Sequence, residues 1–345
     1  MQPRSSRFVT GLTFVAAVAV ALAACGSSSK SPSSGSSGTS KPTVTLSLVA
    51  YSTPQTAFDA IIKEYQKTTQ GSNIKFTESY GASGDQSRAV LNGLAADVVN
   101  FSLETDMTRL VKKDLVDTSW NSGPTKGILT NSLVVFVVRK GNPKNIHTWD
   151  DLIKPGVQVI TPNPFTSGGA RWNIMAAYGA QLKQGKTPDE AVSYLKALFK
   201  NVPVQDDSAR KALQTFTGGK GDVLLSYEND AIFAQQKQQA IDYVTPDQTI
   251  RIESPAAVTK TSKHEAEADA FLQYLYTPAA QRLFADNGYR PVISGVAKAE
   301  EFKDPPVLFT IKDLGGWSDV TTKFFDPDNG IVAGIEKGIG VSTSK

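Results

Sequence analysis

Short β-branched runs alternate with amphipathic segments along the body of this 345-residue chain, the order expected of an α/β fold with mostly parallel sheets. Val44 to Ala50 predicts a buried strand. Thr53-Pro54 then reads as an N-cap followed by proline at the first helical position, and Phe58, Ile61, Ile62 and Tyr65 recur at helical spacing. The order repeats: Asn73 to Ser79 is strand-like, Gly81 to Gly84 turns, Val90, Leu91 and Leu94 mark a helix face, and Asp97 to Phe101 is strand-like again. Leu133 to Val138 is a continuous apolar run suited to a central strand, Val157 to Thr161 is another, and Gly221 to Ser226 and Ile241 to Thr245 add two more. Met175 to Leu182, Ala191 to Phe199 and Ala212 to Phe216 supply helical stripes, and His264 to Tyr276 with Pro278 to Asn287 predicts a helix pair split at Thr277-Pro278.

The body, roughly 300 residues, exceeds what one core usually holds, so two lobes are expected. Apolar strands meet polar stretches at Thr130 to Leu133 and Thr245 to Ala257. Crossing there assigns 43–130 with 256–345 to lobe I and 131–255 to lobe II, with the C-terminal part able to pack on lobe II.

The amino terminus changes the compartment. Arg4 and Arg7 precede a run from Phe8 to Ala21 without a charge, too short to cross a bilayer and ordered like a secretory signal over 1–24. The run ends in Leu22-Ala23-Ala24-Cys25, which resembles a bacterial lipobox, so Cys25 is the expected lipidation site and a membrane anchor. It is also the one cysteine in the chain, so no internal disulfide can form. Residues 25–42 are then the lipidated cysteine and a Ser/Gly tether, too poor in apolar groups to fold. Removing Arg4 and Arg7 from 36 basic residues leaves 34 against 33 acidic ones. Near-neutrality without a basic, aromatic-laced run argues against nucleic acid.

Candidate chemistry sits at four turns where strands enter helices: Tyr51-Ser52-Thr53, Ala82-Ser83-Gly84, Thr166-Ser167-Gly168-Gly169 and Asp207-Ser208-Ala209. Helix starts leave N–H groups without partners and carry partial positive charge, so small residues there admit an anion to the backbone. A capping serine explains any one of them equally well. The double glycine is the most informative, because it weakens a helix start by roughly 1 kcal/mol per glycine and so implies a close approach. Only His147 and His264 are present, with no metal-binding H-E-x-x-H, no G-x-S-x-G elbow and no Walker A loop, so neither an enzyme, a cofactor nor a metal is expected.

Ile160-Thr161-Pro162-Asn163-Pro164 with Ser167 to Asn173 resembles the signature of the periplasmic sulfate- and thiosulfate-binding proteins. The likeness continues through Val138 to Lys144, Asp151 to Val157, Gly221 to Leu224 and Tyr289-Arg290-Pro291. It implies a two-lobed, type II periplasmic-binding-protein-like fold and a monomeric receptor that closes on bare sulfate and serves an ABC importer's permease and ATPase. By motif, Ser83, Ser167, Gly168, Gly169 and Ala209 are implied ligand donors, with Ser52 at the first turn. Tyr227 stands where relatives carry a tryptophan, Asp85 where relatives often carry lysine. Arg171 and Arg210 are implied to brace the turn peptides against carboxylates without touching ligand. Molybdate is the competing ligand; a serine hydrolase built on Ser167 or a structural envelope lipoprotein is the competing class.

Overall fold

The computed structural model describes residues 42–298, 300–341 and 343; the expected signal, Cys25 and nearly all of the expected tether lie outside them. The elements run β1 (Val44–Tyr51), α1 (Gln55–Tyr65), β2 (Ile74–Gly81), α2 (Ser83–Leu91), β3 (Val98–Asn100), α3 (Glu104–Val111) and β4 (Ile128–Arg139). They continue β5 (Val159–Ile160), α4 (Gly168–Lys183), α5 (Pro188–Lys200), α6 (Ala209–Thr217), β6 (Val223–Tyr227), α7 (Glu228–Gln236), β7 (Ile241–Val244) and β8 (Gln248–Val258). The last are α8 (Glu265–Leu275), α9 (Pro278–Asp286), β9 (Arg290–Pro291), β10 (Val307–Phe309), α10 (Gly316–Phe325) and α11 (Ile331–Gly338).

Two strand groups share long central strands. β1 lies parallel between β2 and β3, and the end of β8 pairs antiparallel with β3 through Val98 and Val258. β4 pairs antiparallel with β6 and β7, and β6 pairs parallel with β5. Between these groups the first half of β4 runs antiparallel to the middle of β8, from Ile128 opposite Pro255 to Leu133 opposite Arg251. The parallel pairing expected from the sequence therefore holds for β1 with β2 and β3 and for β5 with β6, whereas β4 pairs antiparallel with β6 and β7; β4 and β8 join the two groups into a curled mixed sheet and a two-lobed α/β fold.

Period-2 packing explains the uninterrupted apolar run in β4. Leu133, Val135 and Val137 pack with Phe216 of α6 and Ala231 of α7, whereas Val134, Phe136 and Val138 face the larger core with Trp149, Met175 and Leu195. Both faces of the strand are buried, so alternation of polarity is absent. β1 divides likewise: Val49 joins Val99, Met107 and Leu110, and Leu46, Leu48 and Ala50 join Phe58 and Phe271. Each large side chain so placed contributes about 1.5–3 kcal/mol of transfer free energy.

Local departures have local causes. Pro54, not Thr53, precedes α1, and no side chain caps that helix, because the Thr53 hydroxyl is committed to Tyr289 at 3.1 Å. Leu94 lies beyond α2 and is 40% exposed, so it is not part of that helix face. Thr277 does cap α9, accepting from the Ala280 N–H with Pro278 at the first position. At the C-terminus, Trp317 of α10 meets Trp172 at 4.7 Å and Phe324 meets Tyr178 at 4.7 Å, so α10 packs on α4. Among the described residues no helix is long and apolar enough to cross a membrane.

Candidate binding site

The first turns of α2, α4 and α6 converge. The Gly84 N–H donates to the Thr166 carbonyl at 3.1 Å, joining the start of α2 to the loop before α4. A Cβ built on Gly169 meets the Ala209 Cβ at 3.4 Å and a Tyr227 ring carbon at 3.6 Å, joining α4 to α6 and to the end of β6. The Arg210 N–H reaches the Ser52 hydroxyl at 3.4 Å, which adds the first turn. All seven small or phenolic residues singled out in the sequence therefore border one region. Three helix N-termini with their positive partial charge meet there.

Gly168 is bare for a reason visible in the packing. An added Cβ would fall 2.5 Å from the Ser102 Oγ and 2.9 Å from the Leu103 Cγ. The close approach expected at the double glycine is thus already made by a protein side chain. Ser167 behaves as an N-cap, accepting from the Ala170 N–H at 3.4 Å, and Ser208 does the same for Lys211 at 3.3 Å. The N–H groups of Gly168, Gly169 and Ala209 are first-turn donors that no intrahelical carbonyl can reach.

Ser102 is the residue that sequence reasoning missed. Its N–H donates to the Ser83 Oγ at 2.9 Å, its hydroxyl shares a 2.7 Å bond with the Tyr227 hydroxyl, and its carbonyl accepts from the Trp172 indole at 2.7 Å. It lies between β3 and the Leu103 N-cap of α3, so it is a fifth serine at a strand-to-helix turn. Reading α3 in the sequence would have exposed it by the same rule.

Carboxylates stand behind the hydroxyls. Ser83 donates to Asp106 at 2.6 Å, and Asp106 is held by Arg109 at 2.9 Å. Asp230, fully buried, accepts from Ser226 at 3.1 Å and lies 3.7 Å from Arg210; burial raises its pKa while Arg210 and Ser226 lower it. Arg210 also donates to the Thr53 carbonyl at 2.8 Å and stacks on Phe233. Arg171 differs from the expectation: it braces the turn through the Pro164 carbonyl at 2.8 Å and lies over Phe325, with no carboxylate within ion-pair reach among the described residues. Asp85 is exposed and pairs with Arg88.

The phenols remain donors over a wide pH range. Burial drives the Tyr227 pKa well above its usual value, reinforced by Tyr51, Asp230 and Asp106, with the Ser102 bond opposing. Burial does the same to Tyr289 and, less strongly, to Tyr51. A phenol held neutral donates one proton and repels no anion.

Nothing in this region prepares a nucleophile. His147 Nε2 lies against the Asn145 side chain at 3.1 Å and His264 precedes α8, so neither is near Ser167 as a base. Among the described residues no three His, Cys, Asp or Glu side chains are grouped to hold a metal ion. The arrangement presents neutral hydrogen-bond donors.

A family model described as bacterial extracellular solute-binding protein matches residues 46–290. The chain belongs to that family. Its members are binding components and not enzymes. A sulfate-binding protein of Synechococcus elongatus is 43% identical, covering 84% of this chain and 85% of its own. A thiosulfate-binding protein of Escherichia coli is 36% identical, covering 76% and 81%. Among solved structures, the sulfate-binding protein SubI from Mycobacterium tuberculosis superposes with a TM-score of 0.80 at 46% identity, covering 82% of this chain and 99% of that one.

Proposed function

We propose that this solute-binding protein is an extracytoplasmic receptor that closes on sulfate and delivers it to an ABC importer. The observation carrying the reading is the convergence of three helix starts on neutral hydroxyl and phenol groups, the phenol held neutral by its burial. Ser167, Tyr227 and Ser52 supply hydroxyls, and Ser83, Gly168, Gly169 and Ala209 supply N–H groups, the Ser83 hydroxyl being committed to Asp106. Ser102 joins them as a positioning residue, because it orients both Ser83 and Tyr227. Arg171 and Arg210 hold the turn peptides. Lobe I is taken as 43–130 with 256–345 and lobe II as 131–255, with α10 and α11 packed on the second; closure then follows because a ligand bridging both lobes favours the shut state.

Selectivity follows from counting protons. Sulfate accepts hydrogen bonds and offers none at neutral pH, whereas hydrogen phosphate brings a proton that meets donors. Leaving such a group unpaired when buried costs about 1–3 kcal/mol. A micromolar complex requires about 8 kcal/mol of net binding free energy, within reach of several charge-assisted bonds. Thiosulfate is the second reading, favoured by the identity to a thiosulfate-binding relative. Cys25 is proposed to carry lipid and tether the monomeric receptor to the membrane, with residues 26–42 as the leash. Lipid labelling lost in Cys25→Ser tests the anchor.

Calorimetry of the mature body against sulfate, thiosulfate, phosphate and molybdate tests the ligand. We expect sulfate or thiosulfate to bind one to one and phosphate to produce no heat. Binding of molybdate without sulfate overturns the assignment.

A further inference from the structure

A second concentration of positive charge lies beside α3 and α10. A cavity of about 570 Å³ opens between α3 and α10, and its walls carry Arg88, Arg109, Lys112 and Arg171. One carboxylate, Glu104, stands on the same wall. Arg88 and Arg109 are each matched by one acid, Asp85 and Asp106. Lys112 and Arg171 have no acidic partner among the described residues. Four cations against three carboxylates leave a positive surplus.

The cavity also holds unused donors. The Thr105 Oγ1 on α3 and the Thr321 Oγ1 on α10 are shielded from solvent and without a hydrogen-bond partner, and both residues line the opening from opposite sides. A buried hydroxyl left unpaired costs about 1–3 kcal/mol, and an acceptor in the adjoining cavity, reached by rotation about χ1, would satisfy both beside the Arg171 guanidinium. Burial lowers the Arg171 pKa, Asp106 opposes this, and Arg109 and Arg88 lower it further. An anion in the cavity relieves that repulsion.

We infer that the cavity between α3 and α10 is a second anion site, built for a small multiply charged oxyanion such as a diphosphate or a tricarboxylate. The volume is too large for one tetrahedral ion, and the cations are spread over two walls, which matches charges spaced along a ligand. Guanidinium and ammonium groups distinguish this site from the neutral donors of the cleft, so its binding is salt-sensitive and weakly selective. The inference stands independently of which ligand fills the cleft.

Titration calorimetry of the mature protein with pyrophosphate and with citrate, at sulfate just sufficient to fill the cleft, tests it. At least one of the two should bind one to one beside sulfate. The Lys112→Gln/Thr321→Val double variant should weaken that second event tenfold or more while sulfate affinity stays within twofold, which also reports that the variant is folded. Without sulfate binding by the wild type, the same comparison is made with no sulfate present. Absence of any second event in the wild type, or equal binding by the double variant, overturns the site.

Discussion

The cleft at the starts of α2, α4 and α6 and the packing beneath α11 bury carboxylates in opposite ways. In the cleft each buried acid has a guanidinium at hand: Asp106 has Arg109 at 2.9 Å and Asp230 has Arg210 at 3.7 Å. Beneath α11, Glu336 is fully buried with a single neutral partner, the Gln205 amide at 2.8 Å. Its other oxygen and the Gln205 carbonyl have no partner. Burial accordingly pushes the Glu336 pKa up to about 7, with the Gln205 bond opposing. The difference teaches that the cleft acids stand beside guanidinium groups, with Arg210 opposing the effect of burial on Asp230, whereas Glu336 has only a neutral amide beside it and is free to titrate near neutrality.

The strongest way to break the comparison is to fill the space that the cleft keeps clear. Gly168→Ala places a methyl group 2.5 Å from the Ser102 Oγ, which forces apart the contact that orients Ser83 and Tyr227. Sulfate affinity is expected to fall by about 100-fold or more, equivalent to about 3 kcal/mol. Helix propensity alone would make the same change favourable by a few tenths to 1 kcal/mol. Unchanged affinity in calorimetry would remove the cleft as the binding site.

The second test works on the other region. Between pH 4.5 and about 7 the folded protein keeps the Glu336 proton while the unfolded chain releases it. Stability therefore falls as pH rises through that window and levels off above it. The span amounts to on the order of 3 kcal/mol. Glu336→Gln keeps the bond to Gln205 and lets the new amide donate to the Gln205 carbonyl, so the variant should be more stable at pH 8 and lose that slope. Urea midpoints at pH 5 and pH 8 measure it. A slope that persists in the glutamine variant shows that another group titrates.

The two regions were not equally legible in the sequence. The helix starts were, because serine and glycine at strand-to-helix turns have a direct physical meaning, and β1, α1, β4, α8 and α9 announced themselves by period or by proline. Helix α4 begins earlier than its stripe from Met175 suggests, since it is buried on nearly every side and has little periodicity to show. Helices α3 and α7 escaped notice because their buried faces include Asp106 in one and Glu228, Asn229 and Asp230 in the other, polar residues that read as surface. With α3 unread, Ser102 was invisible. The antiparallel role of β8 was hidden by Arg251, Glu253 and Pro255, which look like a loop in one dimension and take the middle of the sheet in three. Glu336 and Gln205 are 131 residues apart, and no local pattern predicts that pairing.

The smallest expected effect sharpens the role of the hydroxyl pair in the cleft. Tyr227→Phe removes one hydroxyl of the 2.7 Å pair with Ser102 and leaves the ring beside Gly169 in place. Ser102→Ala removes the other hydroxyl but keeps the Ser102 N–H donated to Ser83 and the carbonyl that accepts from Trp172. If the Tyr227 hydroxyl donates to the ligand, Tyr227→Phe weakens sulfate about tenfold, near 1.4 kcal/mol. Ser102→Ala then weakens it less, because it only frees the phenol to rotate. The double variant should cost no more than Tyr227→Phe alone, since the two groups act through one bond. Additive losses in calorimetry would mean that Ser102 meets the ligand itself, and that the phenol is one of two separate donors.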